Sequence, residues 1–527
     1  MTAADDIAGS ASRPSGPARP VAVIDVGASA VRLVIAEVSP HRSPVVLEEA
    51  SRAVPLGKDS FASGRIGAAT IEAALRALDG FRRMMDGYAV AEYRAVATSA
   101  VREATNADTF LDRVRVRTGL QLEVIDGTEE SRLTYLAVRH RLKGHPALDG
   151  PHALLVEVGG GSADLTFLDG DRPKYSGVYP LGAIRMRQSL AGWHGSHDQR
   201  MRLLTRHITN VVGDIEGEMP LATARHMIAL GNDIRFAASR ILETHEDGVH
   251  EVPREAFLAF CATVERWDEE TLIERYRLGQ VDAETLVPAL LVYRSLLLAT
   301  GAPTVTVPDV SLRVGLLVDL ARAGDAPELA DFSLQVLASA EALGEKYRYD
   351  AAHARQVARL AGRLFDELQE EHGLKARDRL LLEVAALLHD IGVFVSLRAH
   401  HKHSQYLLSA TEIFGLSTDD MALVSNVARY HRRGLPQKSH LPYMALDRED
   451  RVRVNKLAAL LRVANALDAE HMQKVSDLRV VREGETWALS VEGTGDLTME
   501  RLAATSRADL FAQVFGHDLA FRGGGVV

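Results

Sequence analysis

Two short glycine-bearing segments place acids where a phosphate site needs them. The apolar run VAVIDV at residues 21–26 carries Asp25 and leads into Gly27 and Ser29, and a second apolar run, VRLVIAEV, follows at 31–38. Residues 154–168, LLVEVGGGSADLTFL, repeat that order. Overlaying the two puts Asp25 on Glu157 and Gly27 on Gly159. Binding a phosphate takes converging backbone N–H groups, glycines that let the backbone come close, and a cation to offset the charge. Asp25–Gly27–Ser29 and Glu157–Gly159–Gly160–Gly161–Ser162 fit that chemistry. No Gly-Lys-Ser/Thr follows, so neither is a P-loop. A strand rather than a helix comes next, so neither is a dinucleotide fingerprint. One such hairpin is as readily an ordinary glycine-rich turn; the duplication argues for a site. Glu157 and Asp164 fall on opposite arms of the second hairpin. Such a pair suits Mg²⁺ held through oxygens and substrate phosphates, unless Asp164 is a polar strand residue turned to solvent.

A further acid lies between the hairpins. Asp126-Gly-Thr-Glu129-Glu130-Ser-Arg132 starts a helix, with Asp126 as N-cap and Glu129 as its capping-box partner. Glu130 has no capping role; it takes a proton from an attacking water or belongs to a solvated helix face. Far along the chain stand His353, the pair His389-Asp390, and Asp468. Imidazoles and carboxylates on facing apolar helices make a divalent-metal site. His389-Asp390 ends the apolar stretch LLEVAALLHDIG, where a buried charge wants a partner. His403 and His431 are either further ligands or members of a cationic strip with His400, His401, Lys402, Arg429, Arg432, Arg433, Lys438 and His440.

The elements that position these residues follow from periodicity. Residues 21–150 and 151–325 each alternate strands and helices behind one hairpin. Ile71, Leu75, Leu78 and Phe81 stripe one helix. Asn106 is the expected cap of the helix running to Gly119, and residues 120–125 read as a strand. Arg322–Glu328 reads as a linker. Residues 330–474 are helical: Val357, Leu360, Leu364, Phe365 and Leu368 form one stripe, and 380–391 and 453–467 are apolar enough to be buried. Residues 475–527 return to short strands, a small mixed unit. Residues 1–20 are small, polar and Pro-containing, expected as a disordered tail without the pattern of a signal peptide. No apolar run approaches the ~20 residues of a membrane span, so a cytoplasmic protein is expected. The chain has 527 residues, a formal net charge of −10 and one cysteine, Cys261. A disulfide framework and a cysteine-built zinc site are therefore excluded. Any polyanion partner must be met by locally gathered cations.

The stretches IDVGASAVRLVI, ATSAVREATNADTFL, IDGTEESRLTYLAV, EVGGGSADL and SLRVGLL lie in order across residues 21–320. In them the chain resembles the exopolyphosphatase / guanosine pentaphosphate phosphohydrolase family. The resemblance implies the α/β actin-like ATPase fold, whose duplicated halves enclose the substrate. It implies Glu130 as the base that activates water, and Asp25, Glu157 and Asp164 as acids of the metal and phosphate site. Gly27 and Ser29 fall in the first phosphate loop and Gly159–Ser162 form the second, while Arg32, Arg102 and Arg313 become phosphate-binding cations. Polyphosphate or guanosine pentaphosphate is the implied substrate, Mg²⁺ the cofactor and a homodimer the assembly, with no nucleic acid or membrane partner. The first loop departs from the family's Asp-x-Gly-Ser-Asn-Ser as DVGASA. The second exchanges both acids of Asp-Ile-Gly-Gly-Gly-Ser-x-Glu, giving Glu157 first and Asp164 last. Gly231-Asn232-Asp233 stands for Ser-Gly-Thr, and Val314 for a Glu.

The order His353, His389-Asp390, Asp468 is similar to that of HD phosphohydrolases, which implies a second divalent metal in an all-α HD-type domain. His403 and His431 match positions of extra ligands in dinuclear members. The strip around His400, His401, Lys402, Arg432 and Arg433 resembles the polyanion channel of long-form family members. Three functions stay open: an exopolyphosphatase in the N-terminal half, a nucleotide phosphohydrolase at the HD-type site, and a non-catalytic regulator that binds polyphosphate or an alarmone.

Overall fold

The computed structural model describes residues 18–39, 44–189, 195–244, 248–322, 326–432, 434–484 and 486–522. Most of the expected tail and Arg433 lie outside them. The chain divides into two compact units, residues 1–171 with 178–328, and residues 329–527 with 172–177.

The first unit carries two mixed sheets. Strands β1 (Arg19–Val26), β2 (Ala30–Val38), β3 (Val45–Ala53), β4 (Glu92–Ala97) and β5 (Glu123–Val124) lie in the order β3-β2-β1-β4-β5. Strands β6 (Ala153–Val158), β7 (Ala163–Asp169), β9 (His226–Leu230), β10 (Val249–Pro253) and β11 (Thr304–Pro308) lie in the order β10-β11-β9-β6-β7, while residues 172–177 of the intervening β8 (Arg172–Tyr179) count with the second unit. In each, the hairpin's first strand pairs antiparallel with its second arm and parallel with a later strand. The duplication in sequence is thus a duplication of topology, as the actin-like fold requires. Val21–Ile24 are fully buried because β1 is central and both its faces are covered.

Helix Ala68–Gly87 covers one face of the first sheet through Ile71, Leu75, Leu78 and Phe81, the expected stripe. On the other face helices Gly127–Leu142 and Leu312–Arg322 pack Leu133, Leu316 and Leu317 against Val21, Val23 and Val96. These two helices cross closely at Gly315, where an added Cβ would lie 2.0 Å from the Leu133 carbonyl oxygen. The crossing carries Glu130 and Arg313 to the same region.

Several local expectations change. Asn106 stands at the N-cap of its helix as expected, but its side chain makes no cap hydrogen bond and instead accepts from the Ile66 N–H at 2.9 Å and donates to the Ile66 carbonyl at 3.0 Å, tying down a neighbouring loop. The strand expected at 120–125 shrinks to Glu123–Val124 at the sheet edge. The expected linker is helical at both ends, since helices reach Arg322 and restart at Ala326.

The second unit packs helices Ala351–Glu367, Ala376–Leu388, His400–Ser409, Thr418–Arg429 and Arg448–Ala466 around one apolar core. Strands β12 (Val475–Glu483), β13 (Thr486–Gly493) and β14 (Asp518–Arg522) form a three-stranded sheet. Val475, Leu478, Leu489 and Phe511 belong to the same core as the helices, so residues 475–522 are not a separate cluster. Among the described residues no helix is long and apolar enough to cross a membrane.

Candidate functional site

The two hairpins of the first unit face a common cleft of roughly 190 Å³. Asp25, Gly27, Ser29 and Arg32 line it from the first hairpin, Glu157 and Gly159–Ser162 from the second, and Glu130 and Arg313 from the two crossing helices. Arg102 lies behind that lining. Its guanidinium donates to the Ile125 carbonyl at 2.7 Å and comes within 3.9 Å of Glu130. Asp164 pairs with Glu157 across the strands, yet it is buried and not part of the cavity wall.

The loops owe their shape to identical turns. Gly27 N–H donates to the Ala30 carbonyl at 3.0 Å, and Gly159 N–H to the Ser162 carbonyl at 2.9 Å. Those two N–H groups close the hairpins and are not the ones left for a phosphate. Gly160 and Gly161 serve close packing instead. A Cβ on Gly161 would sit 2.5 Å from Phe61 and 2.6 Å from Ser99, and one on Gly160 would sit 2.9 Å from both Ala28 and Ile184.

The acids crowd one another. Burial, and then the neighbouring Glu157 carboxylate, push Glu130 up to about 8, against the opposing charge of Arg102. Burial also raises Glu157, against the Thr134 hydroxyl that donates to it at 2.8 Å and with added repulsion from Asp25. Asp25 lies 3.6 Å from Arg32 and 3.5 Å from Arg313. Glu129 is the acid with the structural role, but a different one from that expected. Its N–H donates to Asp126, while its carboxylate pairs with Arg94 at 2.9 Å and Arg132 at 2.6 Å, and both arginines also hold Asp319. Burial alone would raise Glu129, but the two arginines outweigh it and its acidity rises.

Three carboxylates, Asp25, Glu130 and Glu157, line one small cleft, and two of them are driven toward their neutral forms. A hard divalent cation bound through oxygens relieves that repulsion, so the donor set fits Mg²⁺. Arg32 and Arg313 flank these acids, and guanidinium groups suit phosphate oxygens.

Other residues of the site gave no motif. Thr134 is one helical turn beyond Glu130, and that spacing is its only sequence signal. Arg235 lines the cleft, pairs with Asp309 and donates to Asn232 at 2.6 Å. Tyr293 is fully buried; its hydroxyl accepts from Val158 N–H at 3.0 Å and donates to the Leu230 carbonyl. It thereby ties the loop after β6 to the loop after β9.

In the second unit His353, His389, Asp390, His400 and His431 converge. His353 Nδ1 meets Asp468 at 2.8 Å, and His353 Nε2 has no hydrogen-bond partner. Asp468 also accepts from the Gln473 N–H at 2.7 Å. It therefore orients His353 rather than joining the converging ligand atoms. His389 is buried and held neutral, pushed down to about 3 by desolvation. His403 stands outside the cluster, whereas His400, expected on the cationic strip, is inside it, buried at 6% exposure. His401 is half-buried and pushed down to about 4 by burial and by Arg429. Lys402 and Arg432 are exposed. His471, unremarked in the sequence, stacks on His353 with ring centres 3.6 Å apart.

Residues 34–323 match the Ppx/GppA phosphatase family, and residues 337–506 match domain III of the same family. The chain is 25% identical over 423 residues to a guanosine-5'-triphosphate,3'-diphosphate pyrophosphatase of Vibrio parahaemolyticus, covering 76% of this chain and 77% of that one. It is 34% identical over 164 residues to exopolyphosphatase 1 of Mycobacterium tuberculosis, covering 31% of this chain and 46% of that relative. The fold is similar to a Ppx/GppA family member of Aquifex aeolicus, with a TM-score of 0.51 and 24% identity over 59% of this chain and 99% of that one. It is also similar to an exopolyphosphatase of Cytophaga hutchinsonii, with a TM-score of 0.53 and 20% identity over 58% of this chain and 98% of that one. With the duplicated hairpins, the shared cleft and a match over more than half its length, the chain belongs to the Ppx/GppA phosphatase family.

Proposed function

We propose that the first unit hydrolyses the terminal phosphoanhydride bond of inorganic polyphosphate or guanosine pentaphosphate and releases orthophosphate. The observation that carries this reading is Glu130, a cleft carboxylate pushed up to about 8 beside Glu157 and Arg102. A base poised near neutrality both holds and releases a proton readily. Glu130 takes the proton of a water, whose oxygen attacks the terminal phosphorus. The bridging P–O bond breaks, and its electron pair leaves with the shortened chain. Arg32 and Arg313 bind equatorial oxygens, and Arg102 holds Glu130 in place. Asp25 and Glu157, with Asp164 behind them, would hold Mg²⁺, which would supply charge neutralisation for the phosphates. The homodimer implied by the family resemblance and the cytoplasmic location expected from the apolar pattern stay part of this reading; light scattering and cell fractionation test them.

Phosphate release from long-chain polyphosphate tests the reading. Glu130→Gln is expected to lower kcat by about 10²–10⁴. Full activity in that variant sinks it. Binding of polyphosphate without turnover in the unaltered protein would instead mark a regulator, the outcome to which the exchanged acids Glu157 and Asp164 and the altered Val314 point.

A second reading rests on the imidazole–carboxylate cluster of the helical unit, which suits an HD-type metal site. On that reading the cluster holds a divalent ion and hydrolyses a nucleotide. It requires that Asp390→Ala, and not Glu130→Gln, abolish turnover.

A further inference from the structure

The second phosphate loop is held by a helix that turns its peptide groups. In helix Ala183–Ser189 the Ala183 N–H donates to the Gly159 carbonyl at 2.9 Å, and the Ile184 and Arg185 N–H groups donate to the Gly160 carbonyl at 3.0 Å. The next carbonyl, that of Gly161, takes its donor from a side chain, Arg185 Nε, at 2.6 Å. In a planar trans peptide the N–H points opposite to the C=O. Three carbonyls drawn toward one helix therefore turn the N–H groups of Gly160, Gly161 and Ser162 the other way. All three residues line the cleft, and none of these N–H groups has an acceptor among the described residues. They are the donors that remain once the Gly27 and Gly159 N–H groups have closed their hairpins.

The same guanidinium joins the two halves of the first unit. Arg185 Nη2 reaches both carboxylate oxygens of Glu103, at 2.5 and 2.6 Å. Its face lies over the Phe61 ring, 4.8 Å from the ring centre. Glu103 and Phe61 belong to the half that carries the first hairpin, and Gly161 to the half that carries the second. Glu103 directly follows the short helix Ser99–Arg102, so it is the chain neighbour of Arg102. Gln188, one turn beyond Arg185, donates to the Gly57 and Lys58 carbonyls at 3.3 and 3.0 Å and repeats the tie. An exposed ion pair by itself contributes little. What sets this one apart is its third partner, a loop carbonyl served by no backbone N–H. Arg185 is not part of the cleft wall, so it acts through the groups it holds.

We propose that Arg185 is a positioning residue for the phosphate: it turns the Gly161–Ser162 peptide so that the Ser162 N–H faces the cleft, and it ties that loop to the segment carrying Arg102. This rests on the first reading above and deepens it by naming what aims the loop's donors. A lysine cannot take its place, because one ammonium lacks the planar fork that serves a carbonyl and a carboxylate together.

The test reads binding apart from turnover. Full-length chains carrying Glu130→Gln, in which hydrolysis is slowed, are titrated with long-chain polyphosphate and Mg²⁺ by calorimetry. Adding Arg185→Gln is expected to weaken binding about tenfold, and adding Arg185→Lys to weaken it by about as much. Adding Glu103→Gln weakens it roughly threefold, because the Gly161 arm stays. With Glu130 intact, the Arg185→Gln change appears in KM more than in kcat. Circular dichroism checks folding, and Glu103→Gln, the gentler change, decides where Arg185→Gln does not fold. Unchanged affinity in Arg185→Gln and Glu103→Gln, whatever their melting temperatures, makes these contacts purely structural and overturns the proposal. Full recovery of affinity with Arg185→Lys overturns it too. Affinity that falls as expected, in a protein whose unaltered chain releases no phosphate, sinks the hydrolytic reading and leaves the role of Arg185 standing. No binding of polyphosphate to the Glu130→Gln chain overturns both.

Discussion

At the scale of single residues, the cleft is governed by where each acid finds its compensation. Asp25 has two arginines, Glu157 has the Thr134 hydroxyl, and Glu130 has mainly a distant Arg102. Thr134→Val removes the only neutral donor seen on Glu157 among the described residues. A hydrogen bond to a charged group is worth about 1.5–3 kcal/mol, so kcat/KM is expected to fall roughly tenfold or more. Steady-state phosphate release checks this, and an unchanged value removes Thr134 from the site. Asp233 gives a separate, pH-dependent test. Burial pushes it from 3.8 up to about 7, against a hydrogen bond from Thr285 and with repulsion from Asp282. Its folded state holds the proton more tightly than the unfolded chain. The associated stability is therefore fully present below 3.8 and is lost as pH rises through about 7. Asp233→Asn keeps the acceptor for Thr285 without the charge. Its melting temperature is expected to match the unaltered protein near pH 4 and exceed it at pH 8, by about 2–4 °C per kcal/mol. Equal melting at both pH values contradicts this. Thr134 was not legible as a candidate, and Asp233 was so only as part of a loop that departs from the family pattern. Glu130 and Glu157 were, because acids beside glycines and caps have few structural uses.

At the scale of elements, the site depends on two helices crossing without a side chain between them. Gly315 → Ala would drive a methyl into the Leu133 carbonyl. Overpacking of this kind costs about 1–3 kcal/mol, and relief by shifting the Leu312–Arg322 helix would displace Arg313 from Asp25. The variant is expected to melt lower and to show a raised KM for polyphosphate with a smaller change in kcat. A neutral outcome in both measurements means the helices separate freely. The hairpins and the apolar stripes were readable because strand and helix periods are local properties. The role of Gly315 was not, since nothing in SLRVGLL names the carbonyl it must avoid. The same holds for Asn106, which looked like a cap and ties down a loop forty residues away.

At the scale of the whole molecule, residues 475–522 are built into the helical unit. Val475, Leu478, Leu489, Val491, Leu510 and Phe511 are buried in its core. Each is worth about 1.5–3 kcal/mol on burial, a sum comparable with the roughly 5–15 kcal/mol that holds a domain together. Arg462, fully buried in the last long helix, donates to the Arg507 carbonyl at 3.3 Å and pairs with Asp509. A chain ending at Lys474 leaves that cation without these partners. It is expected to lose the cooperative thermal transition of the helical unit, seen by calorimetry, while the first unit still melts. An intact helical transition in the truncated chain makes the C-terminal sheet an independent domain.

The sequence by itself determined the duplicated α/β architecture, the helical half and the acids of the cleft. Periodicity and glycine placement act over a few residues, and a repeat is visible wherever it occurs. It also placed His353, His389 and Asp390 on buried helices. Only the tertiary structure decided which histidines converge. His400 moved from an expected surface strip into the cluster, His403 fell outside it, His471 joined from a turn after the last helix, and Asp468 became a positioning carboxylate. The physical reason is that ligand convergence depends on helix rotation and on one strained turn, and those are set by packing between segments far apart in the chain.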